Sequence, residues 1–138
     1  MKVLYTAIAT ATGGRQGEAQ SEDGTFSAKL ARPVEIGGPG GGTNPEELFA
    51  CGYAACFAST LDHLAKVRKI ELGQVSVKAW VSLGVHPNSK YGLQARLQVS
   101  LPDLPKEQAQ ELLEATHNTC PYSAAIQGNV HVDLELAP

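Results

Sequence analysis

From Leu48 to Leu61 the chain is apolar on almost every side of the helix that its spacing predicts, with Ser59 and Thr60 as the main interruptions. A helix without a polar face has to be buried all round. A chain of 138 residues has little material with which to surround one. Small residues at Ala50, Cys51, Gly52, Ala54 and Ala55 would let a second helix come close. The sequence therefore points to a central helix packed against its own copy in a homodimer.

The start of that helix is well marked. In Thr43-Asn44-Pro45-Glu46-Glu47, Asn44 suits the cap, Pro45 the first helical position, and Glu47 the closing side of a capping box. The helix is expected to run to about Lys66, whose charge suits a helix C-terminus. Before it, Ile36 to Gly42 is so rich in glycine that it reads as a flexible loop with no side chains to pack. Residues 2–11 favour a strand, and Asp23-Gly24 marks a hairpin between two short segments. After the helix, Val75 to Leu83 and Leu93 to Leu101 alternate as strands, with His86-Pro87-Asn88-Ser89 turning the chain between them. Pro105 opens an amphipathic helix, Cys120-Pro121 a short one, and Val130 to Leu136 alternates again. The predicted order is β-β-β-α-β-β-α-α-β, a single α+β domain over residues 1–138.

Composition removes several classes of function. Eleven basic and 14 acidic residues give a net charge of −3, without the basic face that nucleic acid requires. No window reaches the apolar length of a membrane span. The apolar start, Val3 to Ala11, is short, broken by Thr6 and preceded by one lysine, which argues against an export signal. The expected location is the cytoplasm. Three cysteines are too few for a secreted disulfide framework.

Cys56 lies inside the predicted central helix, and Cys120 precedes Pro121 at a predicted helix start. A thiol attacks as its thiolate. Cys56, far from the N-terminal end of its helix and among apolar neighbours, needs a cation from elsewhere to ionise. Arg15, flanked by Gly13, Gly14 and Gly17 in a turn, is the candidate, and Glu46 is the natural carboxylate to hold it. The free N–H groups of the following helix would favour a thiolate at Cys120.

The runs Thr43-Asn44-Pro45-Glu46-Glu47-Leu48-Phe49, Gly52-Tyr53-Ala54-Ala55-Cys56-Phe57 and Cys120-Pro121-Tyr122-Ser123 resemble the organic hydroperoxide resistance proteins of the OsmC superfamily. Tyr5-Thr6-Ala7 and Ala11-Thr12-Gly13-Gly14-Arg15 also fit, so the likeness extends over essentially the whole chain. Tyr122 favours this branch over its osmotically inducible sister. The resemblance implies an OsmC-like intertwined homodimer, with two central helices wrapped by antiparallel sheets. It implies a thiol-dependent peroxidase that reduces alkyl and fatty-acid hydroperoxides to alcohols. Cys56 would be the peroxidatic cysteine and pass through a sulfenic acid. Cys120 would resolve it as an intramolecular disulfide, and Arg15, held by Glu46, would stabilise the thiolate. A lipoylated protein, through its dihydrolipoyl dithiol, would be the external reductant. No bound cofactor and no metal is implied. The chain departs from the family at Cys51, where alanine is usual; a small buried filler is the expected role.

Ten positions separate Glu46 from Cys56, about 15 Å along an unbroken helix. Either the helix breaks near Gly52, or Glu46 comes from the partner subunit across antiparallel central helices; the expectation is the partner. Other readings of the same residues carry less. The glycine-rich loop lacks the lysine and hydroxyl residue of a phosphate-binding P-loop. His63, His86, His117 and His131 make no zinc spacing with the cysteines. A cysteine hydrolase built on His117 and Cys120 lacks an evident third residue. Trp80, Tyr53, Phe49 and Phe57 read as core and dimer contacts. The rival functions are a noncatalytic small-molecule binding module on the same fold and a broader peroxidase of the sister branch.

Overall fold

Asn44 caps the longest helix as its sequence predicts. In the computed structural model, which describes residues 1–138, the Glu47 N–H donates to Asn44 Oδ1 at 2.9 Å. Asn44 Nδ2 returns a bond to Glu47 Oε1 at 3.0 Å. With Pro45 in the first turn, this starts α1 (Pro45–Val67). The helix runs without a break through Gly52, which closes the alternative of a kink there.

The chain divides into two units, Met1–Leu48 and Phe49–Pro138. The first carries β1 (Ala9–Thr12), β2 (Glu18–Ser21) and β3 (Ser27–Lys29) in an antiparallel sheet of that order. Asp23 makes the β2–β3 turn by accepting bonds from the Ser21 hydroxyl and from both the N–H and the hydroxyl of Thr25. Those donors hold its carboxyl down at about 2. The strand expected over 2–11 is shorter than its sequence suggested, because β2 pairs only with residues 9–12. The Glu22 N–H still donates to the Ile8 carbonyl at 2.9 Å, but the chain turns away at Asp23, so residues 1–7 find no strand beside them. Val3, Leu4, Tyr5 and Ile8 are left exposed.

The glycine-rich loop also differs from expectation. It is laid against residues 29–32 rather than free: Gly40 N–H donates to the Arg32 carbonyl at 3.1 Å and Thr43 N–H to the Lys29 carbonyl at 2.9 Å. A Cβ at Gly42 would stand 2.8 Å from the Ala31 nitrogen. Here glycine permits close backbone approach, so the missing side chains are what lets the loop pack.

In the second unit α1 buries one stripe, Tyr53, Phe57, Leu61 and Ala65, at the four-residue spacing of a single helix face. Cys51, Ala55 and Ser59 remain exposed in one chain, so the all-round burial expected from the sequence is met on one side only. β4 (Ser76–Val85) and β5 (Tyr91–Ser100) pair antiparallel over their whole lengths. The chain then crosses through α2 (Lys106–Thr119) and α3 (Pro121–Ile126) and returns as β6 (Val132–Leu136), parallel to β5. A connection of that length permits a parallel return, so the expected wholly antiparallel sheet holds one parallel pair. The element order is the one predicted.

The core joins the α1 stripe to Ala95, Leu97 and Val99 of β5 and to Ala109, Leu112 and Leu113 of α2. Trp80 lies outside it. Register places Trp80 opposite Arg96, and its ring centroid lies 4.7 Å from Lys78 Nζ and 4.5 Å from the Arg96 guanidinium. The core role predicted for this residue is therefore corrected: strand alternation puts position 80 on the outer face. No helix is long and apolar enough to cross a membrane.

Candidate functional site

Arg15 projects from a short 3₁₀ turn, Gly14–Gln16, between β1 and β2. Gly17 ends this turn where a Cβ would lie 1.6 Å from the Thr12 carbonyl oxygen. The turn can close this tightly only on glycine. The Arg15 Nη1 donates to Glu46 Oε2 at 2.8 Å and Nη2 to Oε1 at 2.6 Å, a two-pronged pair that fixes the guanidinium plane. The Glu46 side chain is only 14% exposed. Hydrogen bonds from Arg15 hold its carboxyl below the usual range, against burial that pushes it up. The same bonds raise the Arg15 value further, so both groups keep their charge.

This pair forms within one chain. Arg15 takes its carboxylate from its own chain, an arrangement in which the expected sharing across two subunits would join this pair to Cys56 of a second copy. The two residues come together because Glu46 occupies the first turn of α1, immediately after the loop that Gly42 seats on residues 29–32.

In the second unit the sulfurs of Cys56 and Cys120 stand 3.8 Å apart, in contact as free thiols. Cys56 is half-buried on α1, and Cys120 is fully buried at the N-cap of α3. Burial pushes the Cys56 thiol up, as its apolar helix implied. The Tyr122 N–H opposes this by donating to the sulfur, while the adjacent Cys120 raises it further. The first turn of α3 thus supplies a donor to Cys56, a contribution that the sequence reading did not assign. Pro121 lacks an N–H, so the donor found is that of the next residue.

Aromatic rings form a wall beside the sulfurs. Tyr122 stacks on Tyr53 at 6.0 Å between centroids and tilts against Phe49 at 6.0 Å. Gly52 makes room for it: a Cβ there would lie 3.0 Å from the Tyr122 hydroxyl oxygen. Tyr122 is 39% exposed, so this wall has an open side. Cys51, five residues before Cys56, is exposed and takes no part in the sulfur contact; the buried-filler role is not met within one chain.

Sequence reasoning missed a second chain of contacts. The Ser123 hydroxyl oxygen lies 2.7 Å from the Tyr53 hydroxyl and 3.0 Å from His117 Nδ1. Tyr53 is three residues before Cys56, and Ser123 three after Cys120. That matched helical offset was the available signal. His117 borders a cavity of about 540 Å³ shared with Ile126, Gln127, Asn129 and His131. It bonds to Ser123 and not to Cys120, which removes the basis of the hydrolase reading. His131 pairs with Asp133 at 2.8 Å.

A family model described as OsmC-like protein matches residues 38–135. The organic hydroperoxide resistance protein of Xanthomonas axonopodis pv. citri is 49% identical over 99% of this chain and 96% of its own. The protein OhrB of Bacillus subtilis, also an organic hydroperoxide resistance protein, is 46% identical over 96% and 98%. A crystal structure of an organic hydroperoxide resistance protein from Legionella pneumophila superposes with a TM-score of 0.95 at 47% identity. It covers 99% of this chain and 100% of that one. With two thiols in contact in a fold of this likeness, the chain belongs to the organic hydroperoxide resistance proteins of the OsmC-like family.

Proposed function

We propose that the chain is a cysteine-based peroxidase that reduces organic hydroperoxides to alcohols. The observation that carries this reading is the contact of Cys56 and Cys120, one sulfur half-buried and one fully buried. The outer thiol can meet a substrate; the inner one can meet only the outer. In the first step the Cys56 thiolate attacks the terminal peroxide oxygen and the O–O bond breaks. The alkoxide takes a proton to leave as alcohol, and Cys56 becomes a sulfenic acid. In the second, the Cys120 sulfur displaces the hydroxyl from Cys56, and water leaves with the Cys120 proton. A dihydrolipoyl dithiol, carried on a lipoylated protein, then reduces the disulfide and is itself oxidised to one.

Burial alone would keep Cys56 protonated, so the chemistry needs positive potential. The Tyr122 N–H supplies part, and Arg15 held by Glu46 supplies the charge that also receives the developing alkoxide. Since α1 is unbroken between residues 46 and 56, the Arg15–Glu46 pair of one chain serves Cys56 of a second copy in a homodimer. The open face of α1 at Cys51 and Ala55 and residues 1–7, which lie outside any strand, support such a dimer. Apolar and aromatic walls favour hydrocarbon-bearing peroxides over hydrogen peroxide. The thiols must be reduced between turnovers, which fits a cytoplasmic location.

The test is turnover of tert-butyl hydroperoxide with dihydrolipoamide by the wild type, Cys56→Ser and Cys120→Ser. Cys56→Ser is expected to lose even one turnover, and Cys120→Ser to retain the first step and stall as sulfenic acid. Equal activity in all three would exclude the mechanism.

A further inference from the structure

Cys120 depends for its position on a short helix held by few side chains. α3 is six residues long, and Ser123 is its only buried residue. Ala124 and Ala125 are exposed, and Ile126 is half-buried. Its apolar holds are the Tyr122 ring on Tyr53 and Phe49 and Ile126 against the core. To these the one buried side chain of α3 adds a polar anchor, a hydroxyl with two partners, Tyr53 on α1 and His117 in the last turn of α2. A hydroxyl so placed donates to one partner and accepts from the other, so the three side chains act as one unit.

The placement bears on the sulfurs. Tyr53 and Ser123 sit one helical turn from Cys56 and Cys120 respectively, so the bond between them runs beside the sulfur pair. The sulfurs themselves offer little grip, because a thiol is a weak donor and a weak acceptor. Disulfide geometry is narrow, with the sulfurs at about 2.05 Å and a preferred torsion near 90°. From 3.8 Å closure asks for a small, directed shift, and it fails if α3 drifts. Burying the Tyr53 ring does not require its hydroxyl, since phenylalanine would bury the same ring.

We propose that Tyr53, Ser123 and His117 are positioning residues for disulfide closure. Their hydroxyl–hydroxyl–imidazole chain fixes α3 on α1 and α2, and so holds the Cys120 sulfur against that of Cys56. The biological use of this device rests on the peroxidase reading, but the equilibrium it controls can be measured without a peroxide. Glutathione disulfide oxidises the two protein thiols to a disulfide, and two glutathione molecules take up the electrons and protons.

The test is that equilibrium, read as the effective concentration of Cys120 at Cys56 after acid quenching. It compares the wild type with Tyr53→Phe, Ser123→Ala, the double variant and Ser123→Thr. Each single variant is expected to lower the effective concentration about five- to tenfold, the weight of one buried hydrogen bond. The double variant is expected to lose no more than about the larger single loss, since both changes remove the same bond. Ser123→Thr, which keeps the hydroxyl, should recover most of the wild-type value. Values equal to wild type, or losses that add, would overturn the proposal. If Ser123→Ala does not fold, Tyr53→Phe decides alone. Failure of the peroxidase reading is separate: hydroperoxide would go unreduced while the glutathione equilibrium still responded to the variants.

Discussion

The sulfur of Cys120 touches that of Cys56 at 3.8 Å although 64 residues separate them in sequence. The contact is made by two helix positions, the interior of α1 and the N-cap of α3. It leaves the outer thiol half-buried and the inner one without access to solvent. That difference in access fits the attacking role proposed for Cys56 and the resolving role proposed for Cys120.

The Arg15–Glu46 pair gives a pH dependence with a definite sign. The folded-state value of Glu46 is depressed by Arg15. Its contribution to stability is therefore present above the ordinary carboxylate value of about 4.3 and lost as pH falls through the lower, folded value. Glu46→Gln should cost on the order of 1 kcal/mol near neutral pH, a figure kept small by the partial exposure of Arg15. The gap between wild type and variant should close on acidification below about 4.3. Urea denaturation at several pH values measures it, and a gap that widened in acid would contradict the assignment.

Removing the cap of α1 should have a local price in stability. Asn44→Ala deletes the acceptor of the Glu47 N–H and should destabilise the chain by about 1 kcal/mol. Glu47→Ala leaves that bond in place and should cost less. Chemical denaturation of both variants tests the order.

Gly52 is predicted to be intolerant of bulk. Gly52→Val would place its side chain in the space of the Tyr122 ring, overpacking it at about 1–3 kcal/mol. The same change should shift the Tyr122 backbone whose N–H reaches Cys56, and slow the reaction of Cys56 with a thiol reagent. A variant of unchanged stability and unchanged Cys56 reactivity would show that the ring does not matter there.

How much of this was legible in the sequence depended on the range of the interactions. The start of α1 was readable because Asn44, Pro45 and Glu47 are neighbours whose roles are set within one turn. The two long strands were readable from alternation at Val77, Ala79 and Val81. The strand over residues 2–8 was not, because pairing depends on a partner strand and β2 stops at Ser21. The glycine-rich loop was misread as free, since close packing on Ala31 leaves no side-chain signal. Cys56, Cys120, Arg15 and Glu46 were all named in advance. Their pairing into Cys56 with Cys120 and Arg15 with Glu46 follows the expected partners. The bond from Tyr53 to Ser123 spans 70 residues and joins residue types with ordinary reasons to be in a helix, so the matched offset from the two cysteines was its one trace in the sequence.

The open face of α1 predicts association. Ala55→Glu would set a charge on a face that is exposed in one chain and, in the proposed dimer, covered by a second copy. Sedimentation should give twice the chain mass for the wild type and a single chain mass for the variant. A wild type that sediments as a monomer would remove the second copy from the site.

The most direct measurement adds one equivalent of cumene hydroperoxide to the reduced wild-type protein, without reductant, and maps its peptides after alkylation. The account predicts one equivalent of the alcohol and a disulfide joining Cys56 to Cys120, with Cys51 alkylated. Alcohol formed while Cys56 and Cys120 both remain free, or a disulfide that runs through Cys51 instead, would contradict it.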